Sequence, residues 1–159
     1  MDSMDIKAVA RLQADGRESW TRLGETLGVT GPAAAERVRR LEERGVIRGY
    51  AALLDPAAIG ATLTAFVAVT LRRPKHRRGF LKRVEALAQV QECHHMAGDD
   101  DYLLKVRCSS TRHLDRLLSE ELKSVPGVLR TRTTIVLGTV KETTALPLPA
   151  EDDADDDGG

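Results

Sequence analysis

At 159 residues, with 42% hydrophobic and 30% charged side chains, the chain has the length and mix of one medium globular domain or two small ones. Its longest apolar stretch, Leu63 to Leu71, is broken by threonines and too short for a membrane span, and the first residues lack the apolar core of a secretion signal, so a cytoplasmic protein with no membrane partner is expected. The formal net charge is zero, but residues 151–159 read EDDADDDGG with six acids and no base, which leaves a mildly basic body of 24 basic and 18 acidic groups over residues 1–150.

From Met4 to Arg44 the apolar residues recur at helical spacing in three segments. The first helix is expected over 4–14, with Met4, Ala8, Val9 and Leu12 on one face and Asp15-Gly16 ending it through a pair that tolerates the left-handed region. The second spans 20–27 and is expected to bury Trp20, Leu23 and Leu27. Gly28-Val29-Thr30 is a tight turn, Thr30 an N-cap, and Pro32 falls in a first helical turn where its missing N–H costs nothing, so the third helix begins near Gly31. Ala34, Val38 and Leu41 form its buried stripe, and Gly45 stops it. Three short helices with a turn before the third make a helix-turn-helix, whose last helix fits the major groove of double-stranded DNA with its N-terminus toward the bases. Arg37, Arg39, Arg40, Arg44 and Arg48 lie within twelve residues and suit phosphate contacts. The same arginines also have Glu36, Glu42 and Glu43 one helical turn away, which allows an internally paired, solvated face instead.

After Asp55-Pro56 and Gly60, which mark a linker, the pattern changes to α+β. Leu63, Ala65, Val67, Val69 and Leu71 alternate with Thr64, Phe66, Ala68 and Thr70, a strand with one strongly apolar and one weakly polar face. A helix over 77–88 follows, then strands over 91–96 and 102–108 around a Gly98-Asp99-Asp100-Asp101 loop, a helix over 111–124 and a final strand over 129–140. This βαββαβ order predicts a ferredoxin-like sheet with both helices on one face. The other face is not polar enough for water, which points to a homodimer. No cofactor and no metal are expected: adjacent carboxylates point apart, His94 and His95 face opposite sides of a strand, and Cys93 and Cys108 read as reduced and buried.

Several stretches in order carry a family resemblance: MDSMDIKAVARLQADGR, LGETLGVT, ERVRRLEERGVIRGYAALLDP with Gly60, then AGDDDYLLKV, VPGV and TRTTIVL. Together they resemble the Lrp/AsnC, or feast/famine, transcriptional regulators over nearly everything but the acidic tail. The resemblance implies a three-helix, winged type of DNA-binding domain at 1–50, a linker strand or hinge at 51–61 and a ferredoxin-like effector-binding and dimerisation domain at 62–142; composition alone, an acidic run without large apolar residues, predicts a disordered tail at 143–159. It implies regulation of transcription by amino-acid sensing, in homodimers that assemble further, often as octamers. Thr30, Pro32, Ala33, Glu36, Arg37, Arg39, Arg40 and Arg48 are then the residues expected at DNA. Gly98, Asp99 and Asp101, with Thr131 and Thr133 from the last strand of a neighbouring protomer, are expected to line the effector pocket. Gly31 and the Ala33-Ala34-Ala35 run replace the family's more polar helix start, which leaves an alternative, a metabolite sensor without DNA binding. Sirohaem decarboxylases share the two-domain layout, but their aromatic segment after the middle histidine is replaced here by Asp99-Asp100-Asp101-Tyr102-Leu103-Leu104, so no catalytic residue is expected.

Overall fold

The computed structural model describes residues 1–149, which form two compact units: Met1–Leu53 together with residues 142–149, and Leu54–Lys141. Residues 54–61 fall within the second unit, and the acidic residues 151–157 lie outside the described residues. Residues 142–149 form no regular element, and the Gln13 carboxamide pairs with the backbone of Leu146 in both directions, at 2.7 and 3.2 Å.

In the first unit, α1 (Ser3–Ala14) starts with a reciprocal cap: the Asp5 N–H donates to the Asp2 carboxylate at 2.7 Å, and the Asp2 N–H to the Asp5 carboxylate at 3.3 Å. It ends differently from expectation. Asp15 is extended, with φ −144°, and Gly16 does not take a positive φ; the Asp15 N–H simply closes the last turn on the Arg11 carbonyl. Next come α2 (Trp20–Leu27), capped by Ser19, and α3 (Gly31–Glu43), capped by Thr30. Ala8, Leu12, Leu23, Leu27, Ala34, Val38 and Leu41 make the core. Trp20, expected inside, is 46% exposed, because the first residue of α2 lies past the end of that core. Gly28 turns the chain between α2 and α3 at φ +70°. The Thr30 hydroxyl accepts from the Ala33 N–H at 3.3 Å, so Thr30→Ala is expected to cost this unit about 1 kcal/mol, read by thermal unfolding, and Thr30→Ser to restore it.

The second unit contains β1 (Leu63–Leu71), α4 (Arg77–Glu85), β2 (Val90–His95), β3 (Tyr102–Cys108), α5 (Thr111–Arg116) and β4 (Val128–Ile135). The four strands pair antiparallel in the order β2-β3-β1-β4, the ferredoxin-like topology. Ala65, Val67 and Val69 of β1 and Leu104, Val106 and Cys108 of β3 are buried with Phe80 and Val84 of α4 and Leu114, Leu117 and Leu122. The Phe80 and Tyr102 rings meet at 5.0 Å. Two elements depart from expectation. The helix over 111–124 continues beyond α5 as a wider π turn, Leu117–Leu122, which keeps Leu114, Leu117 and Leu122 all inside. Strand β4 stops at Ile135 because β1 runs out: Ile135 pairs with Ala65, the Val136 N–H reaches the Thr64 carbonyl at 2.9 Å, and β1 begins one residue earlier.

Candidate nucleic-acid interface and ligand-binding loop

The exposed start of α3 carries Thr30, Pro32 and Ala33, the expected base-facing end. The arginines behind it are largely engaged with carboxylates. Arg37 bonds to Asp2 at 2.7 Å and to Asp5, tying α3 to the start of α1; this pairing holds the Asp2 carboxyl below its usual range. Arg39 takes Glu36 and Glu43, and Arg40 takes Glu36 at 3.1 Å. Arg39 first, then Arg40, pulls Glu36 down to about 2. A depressed carboxylate stabilises the fold above its unfolded value of 4.5, and that contribution disappears as pH falls through about 2, which an NMR titration of Glu36 would show. Of the two arrangements the sequence left open, the paired face is the one present within the isolated chain.

Exposed pairs of this kind contribute little to stability, so phosphates can displace the carboxylates. Arg48 is exposed and makes no ion pair among the described residues. Glu36→Gln is therefore expected to tighten DNA binding and steepen its salt dependence by up to about two counterions, and Arg48→Ala to make it shallower by about one. Anisotropy titrations across a salt series measure both, and unchanged slopes would contradict the placement of α3 on phosphates.

In the second unit the 96–101 loop is built by its last two residues. The Asp101 N–H donates to the Val69 carbonyl at 3.0 Å, the Met96 N–H to the Asp101 carbonyl at 2.9 Å, and the Leu71 N–H to the Asp101 carboxylate at 2.6 Å. Asp101 is thus a structural anchor at the end of β1, with one oxygen engaged. Gly98 and Asp99 stay exposed at the tip. Thr131 and Thr133 are half-buried partners of Val69 and Val67, on the helix-covered side of the sheet, so Asp101 and Thr131 flank Val69 from its two neighbouring strands.

Sequence reasoning missed Asp100. Its carboxylate, only 10% exposed, accepts from the Thr70 hydroxyl at 2.8 Å, Arg132 at 2.6 Å and Arg130 at 3.2 Å, and the Thr70 bond, ahead of the arginines, holds it below the usual range. The alternation Arg130-Thr131-Arg132-Thr133 was the available signal, since it puts both arginines on one face. That face is the one without helices. At its centre lie Phe66, 37% exposed, and Ala68, two residues on along β1, with Leu103 directly opposite Ala68 on β3; Glu92 with Lys105 and His94, Arg107 with Thr64, and the Asp100 cluster surround them. An apolar centre inside a charged margin is the anatomy of a protein interface.

His94 meets Glu92 on this face, while the His95 ring lies 5.1 Å from Tyr102 on the other. Among the described residues no three His, Cys, Asp or Glu side chains converge on a point. Cys108 is buried, whereas Cys93, at the sheet edge, is only half-buried; burial pushes both thiols up. No helix among the described residues is long and apolar enough to cross a membrane.

A helix-turn-helix beside a ferredoxin-like sheet defines a DNA-binding regulator with a ligand-binding domain. Residues 1–42 match the AsnC-type helix-turn-helix domain and residues 64–146 the Lrp/AsnC ligand binding domain. The chain belongs to the Lrp/AsnC family of transcriptional regulators. It is 42% identical to the leucine-responsive regulatory proteins of Klebsiella pneumoniae and Escherichia coli over 148 residues, covering 92% of this chain and 90% of each relative. Among solved structures, it superposes on a transcriptional regulator of Neisseria meningitidis in complex with L-methionine with a TM-score of 0.88 at 32% identity, covering 92% of this chain and 96% of that one. A feast or famine regulatory protein of Mycobacterium tuberculosis, also complexed with L-methionine, gives 0.85 at 38% identity, with 93% and 99% covered.

Proposed function

We propose that this regulator is a cytoplasmic homodimer, without enzymatic activity, whose operator binding is set by a free amino acid. The observation that carries the reading is the hydrogen-bonded Asp101 anchor below an exposed Gly98-Asp99 tip, in a chain two of whose solved relatives are complexed with L-methionine. Loop N–H groups near Gly98 and Asp99 suit an amino acid's carboxylate. The second oxygen of Asp101 suits its ammonium, and Thr131 and Thr133 of a neighbouring protomer would complete the pocket. The helix-free face is the surface we assign to dimerisation, with Phe66 and Leu103 at its centre and further association of dimers at the loops. The ligand then changes DNA affinity only through its different affinity for two assembly states.

A thermal-shift screen of the amino acids, L-methionine and L-leucine included, tests the reading. A ligand present at a hundred times its dissociation constant adds about 2.7 kcal/mol of stability. Sedimentation with and without that ligand should show a change in oligomer size. If no amino acid shifts the melting transition, the sensing reading fails.

A further inference from the structure

The segment after β1 reads RRPKHRRGFLKR from Arg72 to Arg83, seven arginines or lysines and no carboxylate in twelve residues. All seven are exposed. Arg83 pairs with Glu121, but Arg72, Arg73, Lys75, Arg77, Arg78 and Lys82 make no ion pair among the described residues. On α3, by contrast, Arg37, Arg39 and Arg40 each sit on a carboxylate. Charge over the chain follows the same division: residues 1–53 hold nine basic and eight acidic side chains, residues 54–141 fifteen and nine. The positive excess therefore lies in the sheet unit, not in the helix-turn-helix.

Local structure does not ask for these cations. Arg77 and Arg78 occupy the first turn of α4, where the helix dipole favours acids, and His76 provides no side-chain cap. Arg78 and Lys82 stand one turn apart, where like charges repel. Gly79 has open space where a Cβ would be, so packing does not require glycine in this exposed turn, and a bare backbone admits a broad partner closely. Lys82 and Arg83 suit the last turn of α4, but Arg72 to Arg78 meet neither a carboxylate nor a favourable helix end, which marks the N-terminal part of this surface as serving an external polyanion.

Resting on the DNA-binding reading above, we propose that the Arg72–Arg83 surface is a second DNA contact, carried by the ligand-binding domain, that takes the phosphate backbone of duplex flanking the half-sites held by α3. Four of the six unpaired cations are arginines, whose planar fork matches phosphate oxygens. The contacts proposed are to phosphates, so the contribution is strongly dependent on salt and is tested on duplexes of random sequence. The acidic residues 151–157 are the competing polyanion.

The test uses the full chain with Arg73, Lys75, Arg77 and Arg78 all changed to alanine, and a companion with Arg73→Lys, Arg77→Lys and Arg78→Lys. Each is titrated against random-sequence duplexes of about two and about eight helical turns over a salt series. On the long duplex the alanine variant should bind at least tenfold more weakly at low salt, with a slope shallower by about three to four. On the short duplex it should match the wild type, and the lysine companion, which keeps the charges but loses the fork, should match the wild type there and bind the long duplex between the wild type and the alanine variant, with the wild-type salt slope. Its melting temperature should not fall, since repulsion has been removed. Unchanged or tighter binding of the long duplex would overturn the proposal, and tightening that vanishes when residues 150–159 are deleted would assign the surface to the acidic tail. Equal weakening on both duplexes would also overturn it. A wild type that binds neither duplex would overturn the DNA-binding reading itself, whereas an unaffected variant of a binding wild type overturns only this proposal.

Discussion

Replacing Gly24 by valine is expected to abolish DNA binding by prising the helix-turn-helix apart. Gly24 lies in α2 where the turn passes closest: a Cβ there would stand 2.7 Å from the Val29 carbonyl oxygen and 2.9 Å from the Gly31 amide nitrogen. Both neighbours are backbone, so no rotamer change can make room. Alanine would gain about 1 kcal/mol of helix propensity over glycine, but overpacking against fixed atoms costs about 1–3 kcal/mol and more for a branched side chain, so the clash wins. Thermal unfolding should show the helical unit destabilised, slightly in Gly24→Ala and severely in Gly24→Val. DNA affinity should fall more than tenfold in the valine variant. A Gly24→Val protein that melts and binds like the wild type would mean that α2 and the turn are not in this contact.

The second large effect concerns sensing. Because the Asp101 carboxylate already accepts from the Leu71 N–H, Asp101→Ala mixes two consequences, a half-buried N–H that loses this partner and the loss of a charge. Asp101→Asn separates them. Its amide oxygen keeps the bond to Leu71, so stability without ligand should stay near the wild type, while the charge that would meet an ammonium is gone. The amino-acid-induced thermal shift and any change in oligomer size should therefore disappear in Asp101→Asn, with binding of one dimer to a short operator retained. A full ligand response in this variant would place the ammonium elsewhere.

Much of the fold was legible because it depends on short-range chemistry. Trp20–Leu27, Leu63–Leu71 and Tyr102–Cys108 have the expected bounds, since a cap, a turn glycine or a two-residue alternation sets each one locally. Where the structure departs, the deciding partner is distant in sequence. The length of β4 follows from where β1 begins. Trp20 carries the right spacing for burial, but nothing local reveals that the core ends before it.

The functional residues divide in the same way. The loop at Gly98–Asp101 was visible as a turn, and Asp101 was visible through family resemblance, but its bond to Leu71 and the Asp100 cluster with Arg130 and Arg132 join residues about thirty positions apart. The Arg37 pairing with Asp2 spans 35 positions, so an arginine that looked free for phosphate is held at the base of α1. The Arg72–Arg83 run lay in plain view. In sequence it matches an ordinary solvated helix face, and what distinguishes it is that six of its seven cations make no ion pair among the described residues.

In the proposed mechanism one chain couples operator recognition to an amino acid. The most direct test of this coupling is the affinity of the full-length protein for a duplex enriched by the protein itself from a random pool, titrated with and without the amino acid that gives the largest thermal shift. The account predicts tight, salt-sensitive binding that this ligand changes by at least about fivefold. Binding no stronger than to random sequence, or specific binding that the ligand leaves unaltered, would contradict it.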